Sequence, residues 1–171
     1  MKDNRPVIAC YCPTFLAPDM QHIYRQVVGL NRFKPGIITR RRSNPDLFPL
    51  HEKWVTVIRK SRLRAWRRFF FRKLRKEPVP ITTRETRDLL YAFQKYRARV
   101  LHVYFGNTGV ELLPYLKATP WPVVVSFHGA DAGVDADKPR YRESLLEVFA
   151  HADLVLARSE SLLEKLVALQ C

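Results

Sequence analysis

An apolar run leads directly into polar side chains in the stretch Val123-Val124-Val125-Ser126-Phe127-His128-Gly129-Ala130-Asp131. Its valine-rich start predicts a buried β-strand over residues 123–127. An imidazole, a glycine and a carboxylate follow at the carboxyl end of that strand. Because parallel sheets bind their ligands beyond the carboxyl ends of their strands, this stretch predicts an α/β fold with a candidate site immediately after the strand.

Strands and helices alternate on both sides of this stretch. Strands are predicted over residues 7–12, 37–41, 54–58, 100–105, 123–127 and 154–157, and Pro35-Gly36 is predicted to form the turn into the second of them. Helices are predicted over residues 20–31, from Thr82 or Thr83 past Phe93, and over residues 110–117, 139–150 and 159–169. The alternation predicts a Rossmann-like three-layer α/β/α domain with a mainly parallel sheet and right-handed crossovers.

The length and composition are those of one compact domain over residues 1–171. Of the 171 residues, 47% are hydrophobic, which is enough to form a core. No segment approaches the roughly 20 apolar residues that cross a bilayer. Cys10, Cys12 and Cys171 lack the spacing of a metal site, so we expect reduced thiols and a cytoplasmic protein.

Polar or glycine-rich loops follow four of the predicted strands. The first contains Thr14 and lacks the glycine fingerprint of dinucleotide sites. After the next, the sequence Gly106-Asn107-Thr108-Gly109 is either an anion-facing or sugar-facing helix start or a plain turn with an Asn or Thr cap. The last of the four loops carries Ser159 and Glu160.

The loop after residue 127 carries the strongest chemical indication. His128 can donate or accept a hydrogen bond near neutral pH, Gly129 allows close approach to the backbone, and Asp131 can orient a hydroxyl. The alternative is a loop whose polar groups satisfy one another. Asp131, Asp135 and Asp137 do not have the spacing of a calcium loop, and we predict no metal and no cofactor.

Three passages resemble the glycosyltransferases of family 4, which have two Rossmann-like domains in the GT-B arrangement. They are Leu101-His102-Val103-Tyr104-Phe105-Gly106, then Val125-Ser126-Phe127-His128-Gly129-Ala130-Asp131, then Ala152-Asp153-Leu154-Val155-Leu156-Ala157-Arg158-Ser159-Glu160-Ser161-Leu162 with residues 166–171. Together they are similar to the end of that family's N-terminal domain. The likeness is close over residues 100–171 and looser over residues 7–171.

The resemblance implies an acceptor-side domain of a retaining transferase that uses a nucleotide sugar without a metal. It places His128 beside the transferred sugar as the catalytic residue. The predicted substrate contacts are Thr14, Gly106, Asn107, Gly129, Asp131, Ser159 and Glu160. The donor-binding C-terminal domain of such enzymes would be the partner of this one, and we expect the chain by itself to lack activity.

Residues 59–76, here called the basic segment, contain ten Arg or Lys and no acid. They account for ten of the chain's net charge of +14, which leaves +4 elsewhere. Leu63, Trp66, Phe70 and Leu74 recur at helical spacing between the cations. Such a segment is typical of a helix that lies on an anionic membrane surface.

Two other interpretations of the basic segment remain open: a helix that packs its aromatic residues on the domain, and a nucleic-acid binding surface. We favour the membrane, which would present a lipid-linked or envelope-polysaccharide acceptor at the inner face of the cytoplasmic membrane. The predicted membrane contacts are Arg64, Trp66, Arg67, Phe70, Lys73 and Leu74. A non-enzymatic α/β module that binds anionic membrane or nucleic acid is the alternative function.

Overall fold

A computed structural model describes residues 4–59, 61, 63–132 and 138–171. Six strands form one sheet in which every pair of neighbours is parallel. This confirms the predicted Rossmann-like α/β class. The strands are β1 Val7–Tyr11, β2 Lys34–Thr39, β3 Val55–Val57, β4 Ala98–Tyr104, β5 Val123–Phe127 and β6 Leu154–Ala157.

Six α-helices connect or follow these strands. They are α1 Gln21–Val28, α2 Arg64–Phe69, α3 Thr83–Lys95, α4 Gly106–Leu116, α5 Pro139–His151 and α6 Glu160–Ala168. The Thr82 side chain caps α3 by accepting a hydrogen bond from the Glu85 amide, and the Glu85 side chain accepts one from the Thr82 amide. The helix start predicted at Thr82 or Thr83 is therefore confirmed. Within the described residues, no helix is both long and apolar enough to cross a membrane.

The strand order is β3-β2-β1-β4-β5-β6. Strands β2 and β3 therefore follow on one side of β1, and β4, β5 and β6 follow on its other side. At the junction of β1 and β4 the connections diverge, and this opens a crevice at the carboxyl ends of the strands. The loops predicted to carry the site all lie along this carboxyl edge of the sheet.

Alternation along the strands divides the core between the two faces of the sheet. Ala9 and Tyr11 belong to the larger cluster, which also takes in buried side chains of α3, α4 and α5. Cys10 and Cys12 belong to the smaller cluster with Ile23 of α1. Side chains two residues apart on one strand thus share a face, as a pleated backbone requires.

The prediction that Pro35-Gly36 forms a turn is wrong, because both residues lie inside β2. Pro35 pairs with Ile8 of β1, while β3 pairs only with β2 residues from Ile37 onward. At Pro35, β2 therefore has no neighbouring strand on the β3 side. Proline has no amide hydrogen to donate, and at this position no hydrogen bond to β3 is lost. A glycine is needed at position 36 because a Cβ there would lie 2.7 Å from the ring of Tyr96.

The interpretation of residues 106–109 as a turn is also wrong, because helix α4 begins at Gly106 and includes all four residues. The residue before the helix is Phe105, whose φ of 74° is unusual for a side chain of its size. No side chain caps α4. The helix starts without the predicted Asn or Thr cap, and its start is tied to a neighbouring loop instead.

Candidate functional site at the carboxyl edge of the sheet

The carboxylate of Asp131 holds together the ends of β4 and β5. One oxygen accepts hydrogen bonds from the amides of His128 and Gly129 at 2.9 and 2.8 Å. The other accepts from the amide of Gly106 at 2.9 Å. Hydrogen bonds to an ionised carboxylate are stronger than neutral ones, so Asp131 fixes both loops. The Asp131 carboxylate, predicted to orient a substrate hydroxyl, is thus occupied by backbone amides in this structure.

The two glycines of the site are required for different reasons. A Cβ on Gly106 would lie 1.9 Å from the ring of Phe127, so no side chain fits there. At Gly129 a Cβ would meet no atom of the described residues within 4 Å, but φ is +132°. Gly106 therefore allows close packing under the loop, whereas Gly129 allows a backbone conformation at an exposed position open to another molecule.

Three histidines and a serine form a continuous hydrogen-bonded chain on the α1 face of the sheet. His22 Nε2 lies 3.1 Å from His128 Nδ1, and His128 Nε2 lies 3.0 Å from Ser126 Oγ. Ser126 Oγ in turn lies 3.0 Å from His102 Nε2. This histidine chain runs from His22 at the rim to His102 inside the sheet, with His128 in the middle.

The imidazoles of the histidine chain are neutral near pH 7. Burial lowers the pKa of His128 to about 4, helped by His22 and Arg158 and opposed by Asp131. Burial and the neighbouring His128 lower the pKa of His102 to about 4 as well. Burial and Arg158 also lower the pKa of His22. A neutral imidazole has one donor and one acceptor nitrogen, which suits His128, since it bonds to His22 on one side and to Ser126 on the other.

Both ring nitrogens of His128 are engaged within the protein. A hydroxyl can hydrogen-bond to its ring only by replacing His22 or Ser126. Of these, His22 is half-buried and the serine is buried. His22 is therefore the group that a ligand can displace. The sequence did show that residues 126 and 128 share a face, but the neighbours from β4 and α1 needed the tertiary structure.

The remaining predicted substrate residues lie along the same edge but do not contact His128. Thr14 is half-buried in the turn after β1, where its carbonyl accepts a bond from Cys12 Sγ at 3.0 Å. Asn107 is exposed in the first turn of α4. Ser159 caps α6 by accepting from the Leu162 amide, and Glu160 is exposed beside it. No hydrogen bond joins these four to His128 among the described residues.

A buried arginine adjoins the same edge, and no local sequence pattern indicated it. Arg40 directly follows β2, and its side chain is 0% exposed. Its guanidinium lies 3.1 Å from a Glu85 oxygen and 2.6 Å from a Glu111 oxygen. The three charged groups, from β2, α3 and α4, form a buried ionic cluster under the surface on which the basic segment lies.

The described part of the basic segment covers a cavity of about 930 Å³, here called the cationic cavity. Arg64 and Arg67, predicted to contact membrane, line this cavity, and Arg67 also donates to the Pro80 carbonyl at 2.9 Å. Lys73 is exposed, as a membrane contact should be, while Phe70 is half-buried. The inner face of α2 is therefore basic.

The basic segment also exposes large apolar side chains to solvent. Four large side chains, here called the apolar ridge, are 57 to 66% exposed: Leu63, Trp66, Phe69 and Leu74. Phe70 stacks on Trp66 with ring centroids 5.6 Å apart, and so supports the ridge from behind. The interpretation in which the aromatic stripe packs on the domain does not hold for Trp66, which is directed to solvent.

No cluster of three or more metal-ligating side chains occurs among the described residues, and Asp135 and Asp137 lie outside them. The fold and the loops at its carboxyl edge define a Rossmann-like, doubly wound α/β domain. No family model matches the chain, and no curated protein matches its sequence.

Proposed function

We propose that this chain is the acceptor-side domain of a retaining glycosyltransferase that moves a sugar from a nucleotide sugar to a lipid-linked or envelope-polysaccharide acceptor. The observation that carries the proposal is the loop from His128 to Asp131. It lies at the carboxyl ends of parallel strands, where doubly wound sheets bind ligands, and it presents a neutral imidazole beside an open glycine. The resemblance of residues 100–171 to family 4 transferases points in the same direction.

The chemistry of the histidine chain suits recognition of a sugar. A sugar hydroxyl both donates and accepts hydrogen bonds, and so does the rim group His22 that it would replace. Because the chain is already fixed by Ser126, His102 and the Asp131 loop, His128 would meet the sugar without reorganising. Preorganised polar groups of this kind lower transition-state barriers most effectively.

The test is replacement of His128 by Ala in the protein that carries the proposed donor-binding domain. We expect kcat for sugar transfer to fall by about a hundredfold, the scale of losing one positioned catalytic group. His151→Ala is the matched control, because His151 is exposed at the end of α5. It should leave both kcat and the acceptor KM unchanged.

Two further measurements separate catalysis from folding. The unfolding midpoint of each variant shows whether the domain remains folded, and His22→Ala tests the rim of the histidine chain. We expect His22→Ala to change acceptor KM more than kcat, since His22 is the displaceable group. Unchanged transfer in His128→Ala would refute the catalytic assignment.

The proposal includes a donor-binding domain that packs beside this one. Leu154 and Leu156 of the edge strand β6 and Leu163 and Val167 of α6 are 40 to 60% exposed. These apolar side chains are available for a further element of a larger fold. The nucleotide of the donor sugar would be bound mainly by the second domain.

The apolar ridge supports docking to an anionic membrane. Large apolar side chains on an outer face, with cations around them, match a segment that inserts its ridge among lipids while its cations meet headgroups. The same observation favours the second candidate function, a non-enzymatic membrane-binding module. The two differ in whether His128→Ala affects sugar transfer, since a membrane module has no use for the histidine chain.

A further inference from the structure

The cationic cavity lies between the basic segment and the N-terminal ends of two helices. Its volume of about 930 Å³ is at the upper end of the range for small-molecule sites. Arg64, Arg68 and Arg72 line one side. Asn107 and Thr108 of α4 line another, together with residues 138–141 at the start of α5. The cavity is thus distinct from the histidine chain, whose residues do not line it.

The acids that line the cavity already have basic partners. Glu77 forms an ion pair with Arg140 and lies 3.2 Å from the guanidinium of Arg75. Glu85 and Glu111 face the buried Arg40. These carboxylates therefore offer little neutralisation to the other cations of the cavity.

Four cations of the lining make neither an ion pair nor a side-chain hydrogen bond with any described residue: Arg64, Arg68, Arg72 and Lys76. Like charges gathered round one concavity repel one another and attract a multivalent anion. The positive end of the α5 dipole lies at the same cavity and acts in the same direction, whereas the first amide of α4 is already bonded to the Asp131 carboxylate.

We propose that the cationic cavity binds a phosphate monoester or pyrophosphate group. Arginine guanidinium groups match phosphate oxygens with paired hydrogen bonds, and three arginines from one helical segment can surround such a group. The inference extends the proposed function without resting on it. If the protein is a transferase, the cavity would bind the phosphate of its acceptor or donor. If the protein is a binding module, the phosphate group would be its ligand.

The arrangement favours a single phosphate or pyrophosphate group over a nucleic-acid strand. Single-stranded nucleic acid needs aromatic rings beside the cationic groove, so that bases stack while phosphates are neutralised. Here the two exposed rings of the ridge, Trp66 and Phe69, do not line the cavity. One aromatic side chain, Tyr141, does line it, but Tyr141 is buried and so does not offer a face on which a base can stack.

The first experiment measures binding of inorganic pyrophosphate to the whole chain by calorimetry. We expect saturable binding that weakens at least about tenfold in R64Q/R68Q/R72Q, because three charge-assisted contacts are lost. The matched control is R84Q/R87Q/R99Q, which removes the same charge from exposed positions. R68K/R72K keeps the charge without the paired geometry and should fall between them, so the test does not depend on one variant folding.

The second experiment identifies the source of the phosphate. Vesicles of phosphatidylcholine containing phosphatidic acid, a monoester, are compared with vesicles containing phosphatidylglycerol, a diester. A preference for phosphatidic acid that R64Q/R68Q/R72Q abolishes supports the site with a lipid source. Equal binding to both vesicles, with pyrophosphate still bound at the cavity, supports it with a soluble source.

Three results would overturn the proposal. One is the absence of saturable pyrophosphate binding, and another is an equal loss in the two triple variants, which would reflect net charge alone. The third is displacement of pyrophosphate by single-stranded polyuridylate at lower concentration than by unlabelled pyrophosphate. None of these measurements involves sugar transfer, so failure here is distinguishable from failure of the proposed transferase function.

Discussion

At the carboxyl edge of the sheet the polar groups bond to one another, whereas in the basic segment the cations face a cavity and the apolar side chains face solvent. Asp131 holds three backbone amides, and His128 has a partner at each ring nitrogen. By contrast, the segment is joined to the domain by bonds from Arg67 to Pro80 and from Arg140 to the Arg75 carbonyl. The first region therefore has a fixed geometry, whereas the second leaves charged and apolar side chains available for further contacts.

The two regions differ in the property that a substitution is expected to change. A satisfied network of neutral groups positions a substrate but adds little attraction at a distance. Clustered cations attract anions over several ångströms, but they stabilise the fold little. Substitutions in the first region should therefore change stability, and substitutions in the second should change binding.

The largest loss of stability is expected for Arg40→Met at the carboxyl edge. It would leave Glu85 and Glu111 without their buried partner, so we expect the free energy of unfolding to fall by about 3 kcal/mol. Chemical denaturation measures this. Lys117→Met, which breaks the half-exposed pair with Glu147, is the control and should cost less than about 1 kcal/mol. Equal losses in both variants would contradict a buried cluster.

Gly106→Ala is expected to cost about 2 kcal/mol, because its Cβ would overlap the Phe127 ring and force a shift in a packed region. The double variant with Phe127→Leu should recover part of the loss, since it makes room for the methyl group. Thermal or chemical unfolding compares the two. If Gly106→Ala unfolds like the unmodified chain, the loop is looser than the Asp131 bonds imply.

The third prediction is that the free energy of unfolding decreases as the pH is lowered, because the histidine chain must then be protonated. The folded pKa of His102 is about 4, below its unfolded value of about 6.5, so protonation favours the unfolded state. This contribution is fully present above pH 6.5 and decreases as the pH falls toward 4, by at most about 1.4 kcal/mol per pH unit for each histidine. Denaturation at a series of pH values should show a shallower slope for His102→Asn, with exposed His151→Asn as control.

The smallest effect on stability is expected in the apolar ridge. Trp66→Ser with Phe69→Ser should change the free energy of unfolding by no more than about 0.5 kcal/mol per site, because both side chains are exposed. The same variant should bind anionic vesicles about a hundredfold more weakly, since two large apolar groups no longer enter the lipid. Exposed Leu47→Ser with Tyr91→Ser is the control. Undiminished vesicle binding by the ridge variant would refute membrane docking.

Sequence patterns located the strands well because their signals are local. The apolar run from Val123 to Phe127 predicts a strand, and the capping box from Thr82 to Glu85 predicts a helix start, each from neighbouring residues alone. The same local rules failed at Pro35-Gly36, since a proline is acceptable wherever the neighbouring strand does not pair. Only the register of β3 against β2 shows where that is.

The candidate site was predicted in part for the same reason. Its location after β5 and the choice of His128 as a candidate residue followed from strand order and residue type. The hydrogen-bonding partners of His128 in the histidine chain could not be predicted in this way, because His22, His102 and Ser126 come from three elements separated along the chain. The cationic cavity was also missed, since the hydrophobic spacing of residues 63–74 shows an amphipathic segment without showing which face is turned inward.

Periodicity and composition were sufficient to predict the α/β class, the six strands and the concentration of charge in residues 59–76. The tertiary structure decided that Asp131 holds the loops, that His128 is neutral and bonded on both sides, and that the arginines of α2 surround a cavity while Trp66 and Phe69 face outward. These properties arise from packing between distant segments, where burial and neighbouring charges set the state of each group.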